Sequence, residues 1–284
     1  MPSFPGDLNL LQCPECSGIL ELGETPPGLV CAGCRRRFPL VSGVPRFCEV
    51  GSGIVPSRGE SDPTDESGWS KWRRDNYAFC RDALAQALRK SLAVDIGAGR
   101  GQFRRLFDAF EKRLALDFYP YPGVDIVTDI TRRLPLRDGL ADVILLSNVL
   151  EHTPEPGFLL RECSRILIPK QGRLIIVVPF IIKIHQAPYD FFRYTPYALD
   201  YLIRGAGLKA ESIVPLGGLF DILDLLQSAA IRSFARKGAK RGRKLEAKLV
   251  GKSMALLSSR VRRASGKAAD RADYAQGYGC VVTR

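Results

Sequence analysis

The sequence has no long hydrophobic run. Its longest apolar stretch, residues 174–184, is interrupted by Pro179 and Lys183. A helix needs about 20 consecutive apolar residues to cross a bilayer, so the sequence predicts no membrane-spanning helix. The N-terminus also lacks the basic region and apolar run that are typical of a secretory signal. We therefore expect a cytoplasmic protein.

Three residue types are scarce: the 284 residues include two Met, two Trp and two His. The rest of the composition is ordinary for a globular protein, with 45% hydrophobic and 25% charged residues. This balance excludes wholesale disorder and collagen-like repeats. The length is sufficient for one catalytic domain and a small accessory module.

Acidic residues are nearly absent from residues 232–267, which hold thirteen Lys or Arg and a single acid, Glu246. The net charge of +12 belongs to this segment, because basic and acidic residues balance in the rest of the chain. Two sets of apolar residues at helical spacing predict a basic helical insertion at about residues 218–273. They are Leu219, Ile222, Leu223, Leu226, Ala230 and Phe234, followed by Leu245, Leu249, Leu256, Leu257 and Val261.

Three functions fit this basic insertion. It could be a solvated helical cap over an active site, a peripheral contact with an anionic membrane, or a contact with nucleic-acid phosphate. Beyond Phe234, no aromatic side chain is interleaved with the basic residues as a stacking platform. Nucleic acid is therefore the less favoured partner, and the membrane alternative would place the protein at the inner face of the membrane.

Eight cysteines are present, and in a cytoplasmic chain they do not indicate a disulfide framework. Four are scattered, and we expect them to be small buried apolar residues. The other four form two C-x-x-C pairs, Cys13 with Cys16 and Cys31 with Cys34, separated by fourteen residues. This spacing predicts a structural zinc held by four thiolates, which leave no open coordination position. A ribbon that folds without metal, by packing on its neighbour, is the alternative.

Residues 8–47 resemble a small zinc-ribbon family that includes the activator subunit of tRNA methyltransferases. The resemblance is carried by the initial Leu-Leu pair, the two C-x-x-C pairs and residues 38–45. It implies a ribbon that stabilises or activates a methyltransferase, here within the same chain. We expect a zinc ribbon over residues 1–50, a linker over 51–68 that is rich in Gly, Ser, Pro and acids, and a catalytic domain over 69–284.

After a predicted helix over residues 69–90, short apolar runs alternate with amphipathic segments, one of them predicted as a helix over 103–112. This alternation predicts an α/β fold whose parallel sheet is covered on both faces. The first strand leads into a loop with Gly97, Gly99 and Gly101, a G-x-G-x-G pattern that differs from the G-x-G-x-x-G of dinucleotide-binding proteins. Asp95 precedes these glycines, and a carboxylate there suits a ligand with an ammonium group better than a pyrophosphate.

Acidic residues end the next two strands. Asp117 follows the glycine loop by sixteen residues, where a carboxylate can accept both hydroxyls of a ribose. Asp129 and Ile130 end the third strand, where an acid can receive an exocyclic amino group. The fourth strand leads into residues 147–152, which include Asn148 and His152.

Together these motifs resemble the class I S-adenosylmethionine-dependent methyltransferases of type 11, which carry an Asn-Val-Leu-Glu-His-type sequence after the fourth strand. The resemblance implies a Rossmann-like seven-stranded sheet whose last strand, near residues 278–283, is antiparallel. It also implies that Asp95 organises the loop and that Arg100, a bulky departure from the pattern, points outward. The implied cofactor site is lined by Gly97, Gly99, Gly101, Asp117, Asp129, Ile130 and Asn148.

A candidate acceptor site lies in the loop after the fifth strand, which contains His185, Asp190 and Arg193. His185 could act as a general base near neutral pH, and Arg193 could hold an acidic acceptor. Alternatively, Asp190 and Arg193 pair to hold the loop. Methyl transfer depends largely on in-line positioning, so a dedicated base is not required. Glu151 and His152 are expected to be structural.

The sequence therefore predicts a methyltransferase that uses S-adenosylmethionine and carries a structural zinc. Its expected acceptor is an O, N or C nucleophile of a small molecule or of a lipid- or glycan-linked intermediate. The alternatives are an RNA methyltransferase and a non-catalytic methyltransferase-like scaffold.

Overall fold

The computed structural model describes residues 7–49, 62–236, 249–253 and 274–284, together with Leu256 and Ser259. Most of the predicted linker and most of the predicted basic segment lie outside these residues. Within the described residues, no helix is long and apolar enough to cross a membrane. The chain divides into two compact units. One comprises residues 1–178, 184–213 and 279–284, and the other comprises residues 179–183 and 214–278.

The N-terminal region forms a small four-stranded antiparallel sheet. Its strands are β1 (Leu20–Gly23), β2 (Gly28–Cys31), β3 (Arg37–Val41) and β4 (Val44–Pro45). The register pairs Leu20 with Cys31 and Leu29 with Phe38. Phe38 is buried and its ring lies 4.6 Å from that of Phe47, so this sheet has only a small apolar core of its own.

The main sheet has seven strands in the order β10-β11-β9-β8-β5-β6-β7. These strands are β5 (Leu92–Ile96), β6 (Lys112–Asp117), β7 (Ile126–Val127), β8 (Val143–Ser147), β9 (Arg173–Pro179), β10 (Lys209–Leu216) and β11 (Gly277–Thr283). Strand β5 is parallel to both of its neighbours, β6 and β8. Every residue of β5 is buried, as expected for a strand covered on both faces.

The last strand is antiparallel. Arg284 N–H donates to the Gly172 carbonyl, and Phe180 N–H donates to the Gln276 carbonyl, so β11 runs opposite to β9. The predicted α/β fold, with a Rossmann-like seven-stranded sheet, is confirmed.

Within the described residues the helices with assigned bounds are α1 (Lys71–Ala85), α2 (Pro156–Ile166), α3 (Pro196–Gly205) and α4 (Leu219–Arg236), and residues 249–253 are also helical. Ser70 caps α1 by accepting the N–H of Arg73, and Thr195 caps α3 by accepting that of Ala198. The helix predicted over residues 103–112 is wrong, because only one 3-10 turn forms there, Arg104–Phe107. Its N-cap residue, Phe103, offers no polar cap, and β6 begins at Lys112 directly afterwards.

The N-terminal sheet pairs with the edge of the main sheet. Phe47 N–H donates to the carbonyl of Val127 in edge strand β7, at 2.8 Å. A second contact joins Leu11 to Leu136, where Gln12 N–H donates to the Pro135 carbonyl at 3.1 Å. The N-terminal region thus supplies backbone partners to an edge that would otherwise be open.

An ion pair on α2 holds the segment to which Leu11 binds. Glu162 accepts the N–H of Leu134 at 2.8 Å and pairs with Arg165 at 2.6 Å. The Arg165 guanidinium also donates to the carbonyls of Leu134 and Leu136, at 3.2 and 2.6 Å. One partly buried guanidinium therefore fixes the strip of main chain that receives the N-terminal region.

We predict that Arg165→Ala lowers the free energy of unfolding by about 3 kcal/mol, because the Glu162 carboxylate loses its charged partner and two carbonyls lose a donor. Urea denaturation measures this change. Arg161→Ala, an exposed substitution on the same helix, should change it by less than about 0.5 kcal/mol. Equal effects of the two substitutions would contradict this role of Arg165.

Candidate active site

The glycine loop follows the carboxyl end of β5 and is hydrogen-bonded to the carboxyl end of β6. Gly97, Gly99 and Gly101 all have positive φ, at 71°, 56° and 76°. Gly97 N–H donates to the carbonyl of Leu116 at 2.8 Å, and Gly99 N–H donates to Asp117 Oδ2 at 2.8 Å. The structure therefore brings the glycines and Asp117 together, as expected from the sequence.

The three glycines of the loop differ in the space available for a side chain, which is lacking at Gly97 and present at Gly99 and Gly101. A Cβ on Gly97 would lie 2.5 Å from Cγ2 of Val149, so no side chain fits there. At Gly99 and Gly101 the nearest atoms would be 3.8 Å away, and they belong to the side chains of Gln102 and Arg104. The backbone at these two positions leaves room for a ligand to approach closely.

The carboxylate of Asp117 is nearly buried. Besides Gly99, it accepts the N–H of Tyr119 at 2.9 Å, and burial raises its pKa. Each oxygen keeps a further lone pair with which to accept a ligand hydroxyl. The Asp117 carbonyl accepts the N–H of Thr128 at 2.9 Å, which places the next two predicted residues, Asp129 and Ile130, after the neighbouring strand end.

Asp129 is half-buried and holds its own turn. Its Oδ1 accepts the N–H and the hydroxyl of Thr131, at 2.9 and 2.7 Å, while Oδ2 lies 3.6 Å from Nε of Arg132. Asp95, by contrast, lies within β5 and not in the turn. Burial raises the pKa of Asp95 to about 7; the positive charge of Arg113 opposes this rise and the charge of Asp117 contributes to it. The expected role of Asp95 in organising the loop stays a prediction.

Asn148 is held from two sides. It has a positive φ of 55°, and its N–H donates to the Val177 carbonyl at 2.8 Å. Its side-chain amide lies 3.2 Å from the oxygen of Asn76, when the Asn76 amide is oriented to donate to the Trp72 carbonyl. Asn76 is a buried residue of α1 that the sequence analysis missed. The sequence does contain an indication of its role, because Asn76 is a polar residue on the face of a predicted amphipathic helix that is expected to be buried.

The segment before α1 lies beside the glycine loop. Asp62 pairs with Arg104 and Arg105 at 3.3 and 3.4 Å, and the ring of Trp69 packs 5.8 Å from that of Phe103. Between this segment and the loop is a concavity of about 180 Å³, lined in part by Arg100. Arg100 is half-buried, and its outward orientation stays a prediction.

Both histidines of the chain lie against one buried carboxylate. The Glu151 side chain has no exposed surface, and burial raises its pKa to about 8. Its Oε1 lies 3.6 Å from His152 Nε2 and 3.9 Å from His185 Nε2. The two imidazole rings are 4.8 Å apart and nearly perpendicular. The sequence predicts a site role for His185 and structural roles for Glu151 and His152, and the structure brings the three side chains together.

The loop that carries His185 is fixed by Asp190. Arg193 donates two hydrogen bonds to the Asp190 carboxylate, at 2.6 and 2.8 Å, and holds the pKa of that carboxyl well below its usual range. Asp190 also accepts the N–H of His185 at 2.8 Å. The Asp190–Arg193 pair predicted as a loop clamp is therefore present, and an acceptor-binding role for Arg193 stays a prediction.

The four paired cysteines converge on one point. Sγ of Cys13 lies 3.6 Å from that of Cys34, and Sγ of Cys16 lies 3.4 Å from that of Cys31. All four sulfurs lie within 4.8 Å of one another. A tetrahedral zinc with bonds of about 2.3 Å separates its sulfurs by about 3.8 Å, so this donor set fits the ion. None of the eight cysteines forms a disulfide; of the four outside the two pairs, Cys80, Cys163 and Cys280 are buried and Cys48 is partly exposed.

Residues 94–176 match the family model described as Methyltransferase domain. A search of curated proteins found no match.

Three solved structures are similar in fold. A SAM-dependent methyltransferase from Archaeoglobus fulgidus is 15% identical over 76% of this chain and 95% of its own, with a TM-score of 0.49. The 1,6-didemethyltoxoflavin-N1-methyltransferase of Burkholderia thailandensis was solved with S-adenosylhomocysteine. It is 21% identical over 54% of this chain and 73% of its own, with a TM-score of 0.42. A complex of the Haloferax volcanii Trm112 methyltransferase activator with a methyltransferase shows 22% identity over 52% of this chain and 74% of its own, with a TM-score of 0.44. These low identities and scores carry no conclusion about what this chain binds.

We predict that Gly97→Ala destabilises the protein by about 2–4 kcal/mol, because alanine is strained at this φ and its Cβ overlaps Val149. Val149→Ala removes the overlap but not the strain. In the double variant the two substitutions should therefore cost at least about 1 kcal/mol less than the sum of the single changes. A double-mutant cycle of urea denaturation measures this coupling, and strict additivity would contradict the close contact.

Proposed function

We propose that this protein is a methyltransferase that uses S-adenosylmethionine. The observation that carries the proposal is the attachment of the glycine loop to Asp117, in a part of the chain that matches a methyltransferase domain model. The open backbone at Gly99 and Gly101 and the unused lone pairs of Asp117 fit such a cofactor. When bound, the cofactor supplies a methyl group on a sulfonium, which an acceptor nucleophile can displace directly.

The chain's own residues bind and orient the cofactor in this proposal. Gly97, Gly99 and Gly101 allow the main chain to pass beside its methionine end, and Asp117 accepts its ribose hydroxyls. Asp129 and Ile130 flank the adenine. Asn148, fixed by Asn76, lies near the sulfonium, and Asp95 supports the loop from within β5.

The acceptor site in this proposal is the loop that contains His185. Apolar side chains are exposed along it, at Ile184, Tyr189, Phe191 and Phe192. This surface suits a small molecule with an apolar part, or a lipid- or glycan-linked one, better than a highly charged polymer. Asp190 and Arg193 hold the loop, and His185 is the candidate general base. The RNA and membrane alternatives depend on residues 232–267, most of which lie outside the described residues.

The N-terminal ribbon is proposed to bind one structural zinc through Cys13, Cys16, Cys31 and Cys34. A Cβ on Gly18 would lie 2.9 Å from Sγ of Cys31, so the turn closes directly around the sulfurs. The zinc would stabilise a sheet whose own core is small, and that sheet supports edge strand β7. The strand end before Asp129 would in this way depend on the ribbon.

We predict that S-adenosylhomocysteine binds the purified protein and that Asp117→Ala weakens its binding by about 10- to 100-fold. The variant loses the carboxylate that accepts the ribose hydroxyls and the N–H of Gly99, at about 1.5–3 kcal/mol. Isothermal titration calorimetry measures both affinities. Asp108→Ala, an exposed change directly after the 3-10 turn of residues 104–107, is the matched control and should bind like the wild type.

A folded, zinc-loaded protein that does not bind S-adenosylhomocysteine would overturn the proposed function. That result would favour the non-catalytic scaffold.

We also predict about one tightly held zinc per chain, measured by mass spectrometry of the dialysed protein. Cys31→Ser should release it and lower the melting temperature, because the ribbon loses its main stabilising contact. Cys48→Ser, at a cysteine outside the two pairs, should retain the metal. A metal-free protein of unchanged stability would instead support a ribbon that folds by packing alone.

A further inference from the structure

The two histidines of this 284-residue chain meet at one buried carboxylate. Neither Glu151 oxygen accepts a hydrogen bond from another residue in the part of the chain that the structure describes. A carboxylate removed from water without a donor is costly, so its position calls for a partner. The Nε2 atoms of His152 and His185 are the ring atoms nearest to it.

The orientation of each ring shows what kind of partner fits. His152 Nδ1 contacts the carbonyl of Tyr189, which can only accept, so this nitrogen carries the proton. In the neutral ring Nε2 then presents a lone pair toward Glu151. His185 has the same orientation. Its Nδ1 lies 3.4 Å from Oδ2 of Asp190, and its Nε2, on the other side of the ring, faces Glu151.

Metal-binding histidines show the same arrangement, with one nitrogen on the ion and the other anchored to a carbonyl or carboxylate. Here Tyr189 anchors one ring and Asp190 the other, and Asp190 is itself fixed by Arg193. In their unprotonated forms the three inner atoms are electron-pair donors that face one another, and a cation can bind all three.

We propose that Glu151, His152 and His185 bind a divalent metal ion. Their ligand atoms lie within 4.8 Å of one another. Ligands about 2.1 Å from an ion are separated by about 3.0–3.6 Å, so small rotations of the imidazoles complete the site. Two imidazoles and one carboxylate favour a first-row transition metal over Mg²⁺ or Ca²⁺. The His185 side chain is 28% exposed, which leaves an entry path.

Three protein ligands leave coordination positions open, and an oxygen ligand suits them. If the proposed function is correct, on which this step rests, that oxygen belongs to a hydroxyl of the methyl acceptor. The metal would lower the pKa of that hydroxyl, which would lose its proton to solvent. The oxygen would then displace the methyl group from the sulfonium and leave S-adenosylhomocysteine, so His185 would be a metal ligand and not a base. The acceptor class would then be an alcohol, a phenol or a diol.

The test is a titration of the untagged, zinc-loaded protein with Mn²⁺, an ion that thiolates bind poorly. Histidine-selective isotope labelling gives imidazole signals from two residues only. We expect Mn²⁺ to broaden both sets of signals at the same concentration. We also expect Mn²⁺ to raise the melting temperature of the wild type.

Glu151→Gln should weaken Mn²⁺ binding at least about tenfold and abolish this rise in melting temperature. The same variant should fold normally without metal, because it removes an unpaired buried carboxylate. Glu155→Gln, an exposed change four residues later, should bind Mn²⁺ like the wild type. Three results would overturn the proposal: unaffected histidine signals, unchanged affinity in Glu151→Gln, or equal losses in both variants.

Calorimetry with S-adenosylhomocysteine on the same samples separates this proposal from the proposed function. Cofactor binding without Mn²⁺ binding would leave methyl transfer standing and remove the metal site. Mn²⁺ binding without cofactor binding would support the metal site and overturn the proposed methyl transfer.

Discussion

The contact between the Gly97 backbone and Val149 joins the two halves of the candidate site. It is possible because β5 lies between β6 and β8 and is parallel to both, so three carboxyl ends meet at one edge. The glycine loop and Asp117 lie on one side of this contact, and Asn148 and Glu151 lie on the other. A residue with any side chain at Gly97 would separate the loop from the turn that carries the buried carboxylate.

Much of this arrangement could be predicted from the sequence, because it depends on local patterns. Buried strands read as apolar runs, and the spacing of the glycines and of Asp117 follows from one strand-turn unit. The helix predicted over residues 103–112 failed because an amphipathic pattern says nothing of a missing cap or of a strand that begins directly afterwards. Asn76 was missed, and the contact of both histidines with Glu151 could not be predicted, because these features depend on burial, which arises from contacts distant in sequence.

The histidine cluster shows how a loop can be fixed at a distance from the sheet. Asp190 holds both the backbone and the ring of His185 while Arg193 holds Asp190. Tyr194 donates to the carbonyl of Leu150, directly before Glu151. The loop is therefore attached to the same turn that its histidine faces, so the distance between His185 and Glu151 is set by several bonds and not by one flexible side chain.

The pairing of Phe47 with Val127 has a consequence for assembly. An edge strand that already has a backbone partner cannot accept a strand from another molecule. Because the ribbon is part of the same polypeptide, a competing subunit would have to displace a neighbour whose effective concentration is set by covalent linkage. Strand addition at this edge, by a second copy or by a separate subunit of the ribbon's kind, would therefore first have to break the hydrogen bond between Phe47 and Val127.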